Sequence, residues 1–431
     1  MSHAKPRLYR DPVHDTIAFA PDTSEGRLVI RLLDTKEVQR LRRIRQLALS
    51  SLVYHGAEHS RFSHSLGVVW LASQMLERLS HCVDISEEER LLTLACALLH
   101  DLGHAPFSHA LEGVCGVHHE VRTSAIVRDP ESEVHQVLAD FDPSFPERVA
   151  LWMHGAEDQP RFLYELVSSQ LDADRLDYIL RDGRMTGVKI GSYDLERILA
   201  MLDVVDGQLV VHSGGQAAVE GYLLARFHMY QQVYLHKTSR GAERVLVETL
   251  RRASELHRSG VGPNYWPVGA LASLLEGKQL EPQAFVSLDD FEVWMTLKAW
   301  TLDDDRVLAD LANSLVYRRL WKSAQLPVGD SQRAEELIAS ARSIARVNGY
   351  DPDWHILVDT SGGSPYTPFT GLGSTAGAIR LLSSGGTSVP IEDRSDIVRM
   401  LGQMRHRQRL LCYHPGLRER LRPMLEAAAR D

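Results

Sequence analysis

Residues 91–103, with the sequence LLTLACALLHDLG, decide the fold that we predict for this chain. The segment is apolar nearly all round, which is typical of a helix buried in a protein core. Ser86 and Glu89 just before it have the spacing of a capping box, and the glycine at its end favours a stop. His100 and Asp101 therefore fall in the last turn of a buried helix. A carboxylate buried there needs a cationic partner, because an unpaired buried charge is costly.

Length and charge exclude several classes of protein. The chain has 431 residues, with 48 Lys and Arg against 57 Asp and Glu, and a formal net charge of −9. This acidic balance argues against a general nucleic-acid coat, so nucleic acid is not indicated as a partner. No apolar run approaches the roughly 18 residues of a membrane span, and no signal-peptide pattern is visible. The four cysteines include no CxxC pair, so we expect no disulfide framework, no membrane partner and a cytoplasmic protein.

Histidine is concentrated in one part of the chain. Nine of the 20 histidines lie between residues 54 and 119. A solvated surface has no reason to gather imidazoles in this way, whereas a metal site or an acid–base site does. These residues are His55, His59, His64, His81, His100, His104, His109, His118 and His119.

The remainder of the chain is predicted to be mainly α-helical. Apolar periodicity bounded by Gly or Pro indicates four further helices, and Gly183 is expected to end the first of them. They are expected at about residues 162–182, 217–257, 393–405 and 415–428.

Strand signals are few and short. Apolar, β-branched runs at residues 208–212 and 355–360 predict strands, and Asp206-Gly207 predicts that the first of them belongs to a hairpin. Residues 360–390 are rich in Gly, Ser, Thr and Pro, which favours an irregular loop or a lid.

The helical pattern breaks near residue 260, at the segment SGVGPNYWP. We therefore predict a catalytic domain over residues 1–260 and a smaller mixed α/β region over residues 261–431. The second region is suited to oligomerisation or regulation, since the chemically suggestive residues all precede it.

The pair His100 and Asp101 has neighbours that suit a metal site. His64 lies upstream in the motif RFSHS, and Asp174 and Asp177 lie three residues apart on one face of the helix predicted at 162–182. Imidazole and carboxylate ligands together suit Mn, Fe, Zn, Ni or Mg. The alternative is a set of buried His–Asp hydrogen bonds and ordinary salt bridges without a metal.

Further imidazoles and one acid lie between these ligands, at His104, His109, Glu112 and His119. Glu112 and His119 have the chemistry of an acid–base pair, in which the carboxylate orients the imidazole and raises its basicity. The alternative for each histidine is a satisfied core or surface imidazole.

The helix predicted at 217–257 carries Arg226, Tyr230, Tyr234 and Lys237 on one face. Cations at the ends with aromatic rings between them suit a molecule with several phosphates and a flat base or a sugar. The alternative is an amphipathic helix whose tyrosines pack in the core while the cations reach solvent.

Together these residues resemble the HD-domain deoxynucleoside triphosphate triphosphohydrolases, a family that includes bacterial dGTPases and the mammalian sterile-alpha-motif/HD enzyme. The resemblance runs from about Tyr9 to Lys237, somewhat over half of the chain. The segments that carry it, in family order, are DPVHDTIAF, LLDTKEVQRLRRIRQL, RFSHSLGV, LLHDLGHAPFSH, HHE, LDADRLDYILRD, GSYDLERI and YLHK.

The resemblance implies a helical metal-dependent phosphohydrolase core with one divalent metal. The implied metal ligands are His64, His100, Asp101 and Asp174. The implied catalytic residues are His119, Glu112 and His109. His119 is matched rather than His118 because Glu120 follows it.

The resemblance also implies a substrate and a reaction. Hydrolysis at the α-phosphorus of a dNTP would give a deoxynucleoside and inorganic triphosphate. The implied triphosphate contacts are Arg61, His104, Arg226 and Lys237, and Arg175 stands where some members have a phosphate-binding Lys. The implied sugar and base contacts are Gln46, Leu47, Tyr178, Asp182 and Tyr234, of which Tyr234 is expected to crowd a 2′-hydroxyl.

Regulation is a further implication of the resemblance. Asp34, Gln39 and Arg42 match a guanine-recognising site of the regulated members, which implies a GTP or dNTP activator. Arg10 departs from this pattern, since those members have Asn there. A homo-oligomer is also implied, because dimers, tetramers and hexamers all occur in the family.

Three functions stay open on the sequence. The first is a metal-dependent dNTP triphosphohydrolase, and the second is an HD phosphohydrolase acting on another nucleotide. The third is a nucleotide-sensing or nucleic-acid-binding protein with a structural metal site. The presence of His119 together with all four ligands favours an enzyme, since a structural site has no chemical need for all five residues.

Overall fold

The structure is a computed structural model that describes residues 5–108, 110–111, 116–155, 160–363, 366, 377–404 and 406–428. It confirms the predicted fold class, because helices form most of the described chain and the sheets are small. None of the helices within these ranges has the length and apolarity needed to cross a membrane.

The helices up to residue 258, together with the turn that follows α4, contain the predicted metal ligands and most of the core. They are α1 (Ser24–Leu33), α2 (Lys36–Arg40), α3 (Arg61–Leu79), α4 (Glu87–Leu99), α5 (His119–Arg128), α6 (Glu133–Phe141), α7 (Phe145–Trp152), α8 (Arg161–Val167), α9 (Ala173–Thr186), α10 (Leu195–Ala200), α11 (Gln216–Met229) and α12 (Lys237–Arg258). The later helices are α13 (Gly269–Leu275), α14 (Pro282–Ser287), α15 (Asp290–Trp300), α16 (Arg306–Val316), α17 (Ser331–Val347), α18 (Pro352–His355), α19 (Asp396–Gln403) and α20 (Arg418–Ala428).

The strands of the described chain form small sheets. They are β1 (Arg7–Asp11), β2 (Asp15–Phe19), β3 (Leu202–Val205), β4 (Gln208–His212), β5 (Lys322–Gln325), β6 (Ile356–Gly363), β7 (Arg380–Leu382), β8 (Ser388–Pro390) and β9 (His406–Tyr413). The strands β1 and β2 form a hairpin, β3-β4-β7-β8 form a second sheet, and β5-β9-β6 form a third. Pairing is antiparallel except between β4 and β7.

Buried apolar side chains form one large core that includes residues from both sides of position 260. A second, smaller core lies among β5, β6, β9, α17 and α20. The division into domains at residue 260 therefore stays a prediction, since packing is continuous across it.

The capping box at the start of α4 is confirmed, whereas the prediction that His100 and Asp101 lie in its last turn is wrong, because the helix stops before them. Ser86 caps the helix, and the reciprocal hydrogen bonds with Glu89 complete the capping box. The helix ends at Leu99, so His100 is its capping residue and Asp101 begins the turn that follows. The predicted hairpin is also confirmed, with Asp206-Gly207 joining β3 to β4.

The single helix predicted at residues 162–182 is wrong. The structure has α8 and α9 there, because the Asp172 side chain accepts a hydrogen bond from Arg175 N and starts a new helix. Gly183 does not end α9 but packs against Gly191, and the helix ends at Gly187 in the left-handed conformation.

The continuous helix predicted at residues 217–257 is also wrong. After α11, residues 230–234 form one turn of π-helix, and His236 then caps the start of α12. Arg226 and Lys237 therefore do not share one regular helical face.

The predictions for the last part of the chain are confirmed in outline. Strand β6 covers the segment predicted at 355–360, while α19 and α20 correspond to the two final helices. Residues 360–390 hold the short hairpin of β7 and β8, which the composition did not indicate. Part of that segment lies outside the described residues.

Gly67 allows α3 to lie directly against α9. A Cβ atom at this position would collide with the carboxylate of Asp177 and the guanidinium of Arg181, both on α9. Because His64 lies one turn earlier on α3, this close approach places its imidazole beside α9.

We expect Gly67→Ala to lower the free energy of unfolding by at least about 2 kcal/mol, because the new methyl overpacks a buried ion pair. Gly221→Ala is the matched control, since Gly221 is also inside a helix and an added Cβ there meets no described atom within 4 Å. That control is expected to gain up to about 1 kcal/mol from helix propensity. Urea unfolding of both variants tests the claim, and equal effects would contradict it.

Candidate metal centre and substrate cavity

Three helices bring the four predicted metal ligands together. His64 comes from α3, His100 and Asp101 from the end of α4, and Asp174 from the first turn of α9. Asp174 Oδ1 lies 3.0 Å from His64 Nε2 and 3.5 Å from His100 Nε2. Asp101 carboxylate oxygens lie 3.8 Å from His64 Nε2 and 3.4 Å from His100 Nε2.

The ring nitrogens of both histidines are oriented by their other hydrogen bonds. His100 Nδ1 lies 2.8 Å from the Ala97 carbonyl, which can only accept, so Nδ1 carries the hydrogen. His64 Nδ1 lies 2.8 Å from Asp177 Oδ2. Nε2 of each ring therefore faces the carboxylates, which is the orientation in which an imidazole can bind a metal shared with them once Nε2 carries no proton.

Opposite charges keep the acids of this cluster ionised. Burial opposes a charge on Asp101 and Asp174, yet the neighbouring imidazoles, and Arg61 beside Asp101, hold the pKa of both carboxyls below its ordinary value. Burial also opposes a charge on His64, but hydrogen bonds with Asp174 and Asp177 raise the pKa of its imidazole to about 10. The carboxylates are therefore anionic at neutral pH, as ligands of a divalent cation must be.

The donor set fits a divalent cation. His64, His100 and Asp101 offer ligand atoms that all lie within 4.8 Å of one another. His100 Nε2 is buried and makes no hydrogen bond with any described residue. A buried nitrogen of this kind needs a partner, and a cation shared with the two carboxylates supplies one.

A buried ionic network contacts the Nδ1 side of the His64 imidazole. Asp177 accepts hydrogen bonds from Arg181 and lies 2.7 Å from His14 Nε2. Arg181 also reaches both carboxylate oxygens of Asp11, at 2.8 and 3.2 Å. The side chains of Asp177 and Arg181 are fully buried, so the network is held out of water and ties α3, α9 and the N-terminal hairpin together.

A second group of side chains adjoins Asp101. Arg61 donates to Asp101 and, at 2.6 Å, to Ser108 Oγ. His104 Nε2 lies 3.2 Å from Asp101 Oδ1, and the rings of His104 and His119 stack at 3.9 Å. Asp101, His104 and His119 offer atoms within 4.8 Å of one another, so the predicted catalytic imidazole adjoins the metal ligands. The predicted catalytic residues Glu112 and His109 lie outside the described residues.

A cavity of about 490 Å³ opens beside this cluster. Asp101, Asp174 and His119 line it, so ligands and imidazole face the same space. The predicted substrate residues that also line it are Gln46, Leu47, Arg61, His104, Tyr178, Asp182 and Tyr234. Asp182 accepts a hydrogen bond of 2.9 Å from the Tyr234 hydroxyl and lies 2.8 Å from His59 Nε2.

Three predicted phosphate contacts, Arg175, Arg226 and Lys237, are not among the residues that line this cavity. Arg175 lies 3.3 Å from Asp172, and Arg226 is buried beside Tyr230, with Nε and Nη1 unpaired among the described residues. Lys237 lines a separate cavity of about 890 Å³. Their role in binding phosphate therefore stays a prediction.

The loop after α4 is fixed by residues far away in the chain. Phe107 and Ser108 both have left-handed backbone, with φ of 53° and 50°. Phe107 N donates to the buried Asp290 carboxylate at 3.1 Å, and burial raises the pKa of that carboxyl to about 6. Arg40 donates to the carbonyls of His104, at 2.9 Å, and Leu288, at 2.7 Å. Two positions beyond residue 260 thus position this active-site loop.

The predicted effector residues make contacts of their own. Arg42 Nε donates to Gln39 Oε1 at 2.8 Å and its guanidinium stacks on Phe62 at 3.6 Å. Asp34 pairs with Arg7 at 2.6 Å. Their role in binding an effector stays a prediction.

Sequence reasoning missed the residues that hold the predicted ligands and the loop after α4 in place. His14 and Asp11 lie within the segment DPVHDTIAF that carried the resemblance, but their pairing with α9 was not predicted. Arg40 lies within the segment LLDTKEVQRLRRIRQL, but its burial and its contacts with the loop were not predicted, and Asp290 gave no sequence signal, since an Asp is ordinary at the start of a helix.

Comparison with known proteins defines the family. Residues 61–161 match the HD domain, and residues 193–261 match the HD associated region. YwfO of Bacillus subtilis, described as uncharacterized, is 35% identical over 97% of this chain and 97% of its own length. The crystal structure of phosphohydrolase BT4208 from Bacteroides thetaiotaomicron has 32% identity and a TM-score of 0.81, covering 95% of this chain and 100% of that one.

A mammalian relative is more distant. Bos taurus deoxynucleoside triphosphate triphosphohydrolase SAMHD1 is 29% identical over 58% of this chain, and the match spans 48% of its own length. The chain belongs to the HD-domain phosphohydrolase family, of which deoxynucleoside triphosphate triphosphohydrolases are members.

We expect Asp177→Asn to weaken the binding of Mn²⁺ by about 10- to 100-fold, because the carboxylate that orients His64 is lost. Competition with a chromogenic chelator measures the affinity, and thermal melting confirms that the variant is folded. Asp203→Asn is the matched control, since Asp203 also pairs with an imidazole, His212, at 2.8 Å. Unchanged metal affinity in Asp177→Asn would contradict the supporting role.

Proposed function

We propose that this protein is a metal-dependent deoxynucleoside triphosphate triphosphohydrolase. The observation that carries this proposal is that the His–Asp cluster and His119 face one cavity that also presents tyrosines and a carboxylate suited to a sugar. The distant similarity to a named deoxynucleoside triphosphate triphosphohydrolase supports the choice of substrate.

The metal would be held by His64, His100, Asp101 and Asp174. A divalent ion there would polarise a phosphate oxygen and activate or position a water molecule. Its identity among Mn, Mg, Fe, Ni and Zn is left open by ligands of this type.

Arg61 is the cation of the cavity lining that adjoins the metal ligands. Its buried guanidinium is fixed by Asp101 and Ser108, so its charge is oriented before the substrate arrives. A preorganised cation of this kind stabilises charge that develops on a phosphate. Arg175, Arg226 and Lys237 are further candidates, by resemblance alone.

His119 would act as the general acid. As the water oxygen bonds to the α-phosphorus, the bond from phosphorus to the 5′-oxygen breaks, and His119 protonates that oxygen. The products are a deoxynucleoside and inorganic triphosphate. Glu112 would orient His119, and His109 would complete the pocket, both on the basis of the resemblance.

The sugar would lie against Tyr178, Asp182 and Tyr234. The Asp182 carboxylate can accept from a sugar hydroxyl while it holds the Tyr234 hydroxyl. The Tyr234 ring would then crowd a 2′-hydroxyl, which favours deoxyribose. Gln46 and Leu47 would contact the same nucleoside.

Regulation by a second nucleotide and assembly into a homo-oligomer complete the proposal. Regulation rests on the resemblance at Asp34, Gln39 and Arg42. Assembly rests on the oligomers that occur in the family. They are tested by adding GTP to each assay and by measuring the oligomeric state.

We expect product analysis by anion-exchange chromatography to give deoxynucleoside and intact triphosphate from dNTPs in Mg²⁺ or Mn²⁺. His119→Ala should lower the rate at least about 100-fold, since the general acid is lost. His118→Ala is the matched control, because this neighbouring imidazole is exposed and lies beside Glu120, and its rate should stay within about twofold.

Other products would contradict the proposal in different ways. Pyrophosphate or stepwise phosphate release would exclude attack at the α-phosphorus. Turnover of another nucleotide alone would favour a different HD phosphohydrolase. Bound metal without turnover of any nucleotide would favour a sensing function.

A further inference from the structure

A buried threonine joins the first part of α5 to the turn that follows α4. Thr123 lies on α5 and is fully buried. Its hydroxyl oxygen accepts a hydrogen bond from Gly103 N at 2.9 Å, and its hydroxyl donates to the His100 carbonyl at 3.3 Å. One side chain thus links α5 to residues on both sides of Asp101. Nothing in the sequence indicated this role, since a threonine inside a helix is ordinary.

Gly103 brings the same two segments into direct contact. A Cβ atom at this position would lie 2.1 Å from the His119 carbonyl oxygen and 2.5 Å from Thr123 N. Both distances are too short for a real Cβ atom, so glycine is what permits the observed approach. The backbone at the start of α5 therefore lies against the turn that carries Asp101.

This contact is one helical turn away from the predicted catalytic imidazole. His119 is the first residue of α5, and Thr123 follows four residues later on the same face. His118, which precedes the helix, makes no side-chain capping bond with a described residue. Thr123 therefore supplies a fixed point near the start of α5, from which the His119 ring stacks on His104 at 3.9 Å.

We propose that Thr123 is a positioning residue, which holds His119 at the distance from the predicted metal ligands that proton transfer requires. The inference rests on the proposed function in taking His119 as the general acid. Thr123 does not reach the substrate itself, because it is fully buried and is not among the residues that line the cavity. It acts through His119, since a misplacement of about 1 Å can lower a rate about 100-fold.

The hydroxyl is the part of the Thr123 side chain that the proposal needs. It donates and accepts at the same time, which a valine of similar shape cannot do. In Thr123→Val the Gly103 amide loses its acceptor, and an unpaired buried N–H is costly. The helix and the turn are then expected to move apart. Thr123→Ser keeps the hydroxyl and loses only a methyl group.

The first test is the kinetics of hydrolysis of a dNTP. We expect Thr123→Val to lower kcat at least about tenfold, with KM and the affinity for Mn²⁺ changed less than about threefold. Thr123→Ser should keep kcat within about threefold of the wild type. Thr249→Val is the matched control, because Thr249 is equally buried but its hydroxyl donates within its own helix, to the Val245 carbonyl at 2.7 Å. Its kcat should stay within about twofold.

A double-mutant cycle with His119→Ala distinguishes positioning from a general loss of structure. If Thr123 acts through His119, Thr123→Val should change kcat of the His119→Ala protein less than about twofold. A further loss of about tenfold in that background, an unchanged kcat in Thr123→Val alone, or an equal loss in Thr123→Ser would overturn the inference. Thermal melting confirms folding, and Thr123→Ala, which cannot overpack the site, replaces Thr123→Val if that variant does not fold.

Crystal structures of Thr123→Val and Thr123→Ser separate this inference from the proposed reaction. We expect the His119 ring to shift from its place on His104 by about 1 Å or more in Thr123→Val, and to keep that place in Thr123→Ser. This result supports positioning even if the wild-type chain hydrolyses no dNTP, in which case only the proposed reaction fails. An unmoved His119 ring in Thr123→Val overturns the inference whatever the activity.

Discussion

The carboxylate of Asp177 is the contact on which the rest of the site depends. It is fully buried and meets His64, Arg181 and His14 at once. Removing one member of a buried ionic group typically costs about 3–5 kcal/mol, since the others are left uncompensated. The network therefore joins α3, which carries the predicted ligand His64, to α9, which carries the predicted ligand Asp174, and it orients the His64 imidazole between them.

This arrangement explains why the metal ligands can be preorganised in a mainly helical protein. His100 and Asp101 follow the end of a buried helix, where the backbone turns and both side chains reach the same space. Any side chain at position 67 would keep α3 away from Asp177, so glycine there permits the close contact. The positions of the four side chains in the His–Asp cluster thus follow from the packing of the helices that precede or carry them.

The cavity beside the His–Asp cluster is lined by a longer part of the chain than the two domain matches cover, since Gly362 is among its lining residues. Those matches end at residue 261, yet Asp290 positions the loop that bears His104, and Asp359 positions Arg240 in the cavity wall. The region beyond residue 261 therefore supplies contacts that hold residues of the cavity lining in place.

Local signals account for what the sequence predicted well. The capping box at Ser86 and the Asp206-Gly207 turn act within a few residues, and both were confirmed. The breaks at Asp172 and at residues 230–234 were missed, because an apolar periodicity continues through each of them. The His14–Asp177 contact joins positions 163 residues apart, which no local pattern reveals.

The resemblance to a known family indicated the four ligands, and the structure places them together. Thr123 could not be predicted in the same way. A threonine inside a helix is ordinary, and only the packing of α5 against the turn after α4 brings its hydroxyl to Gly103 and His100.

The most direct test of this account is a crystal structure of the His119→Ala protein with Mn²⁺ and a dNTP, recorded with anomalous scattering from manganese. The account predicts one manganese peak bound by His64, His100, Asp101 and Asp174, with the nucleotide in the adjoining cavity. Absence of a peak there, or manganese bound elsewhere while these four residues keep only their contacts with one another, would contradict it.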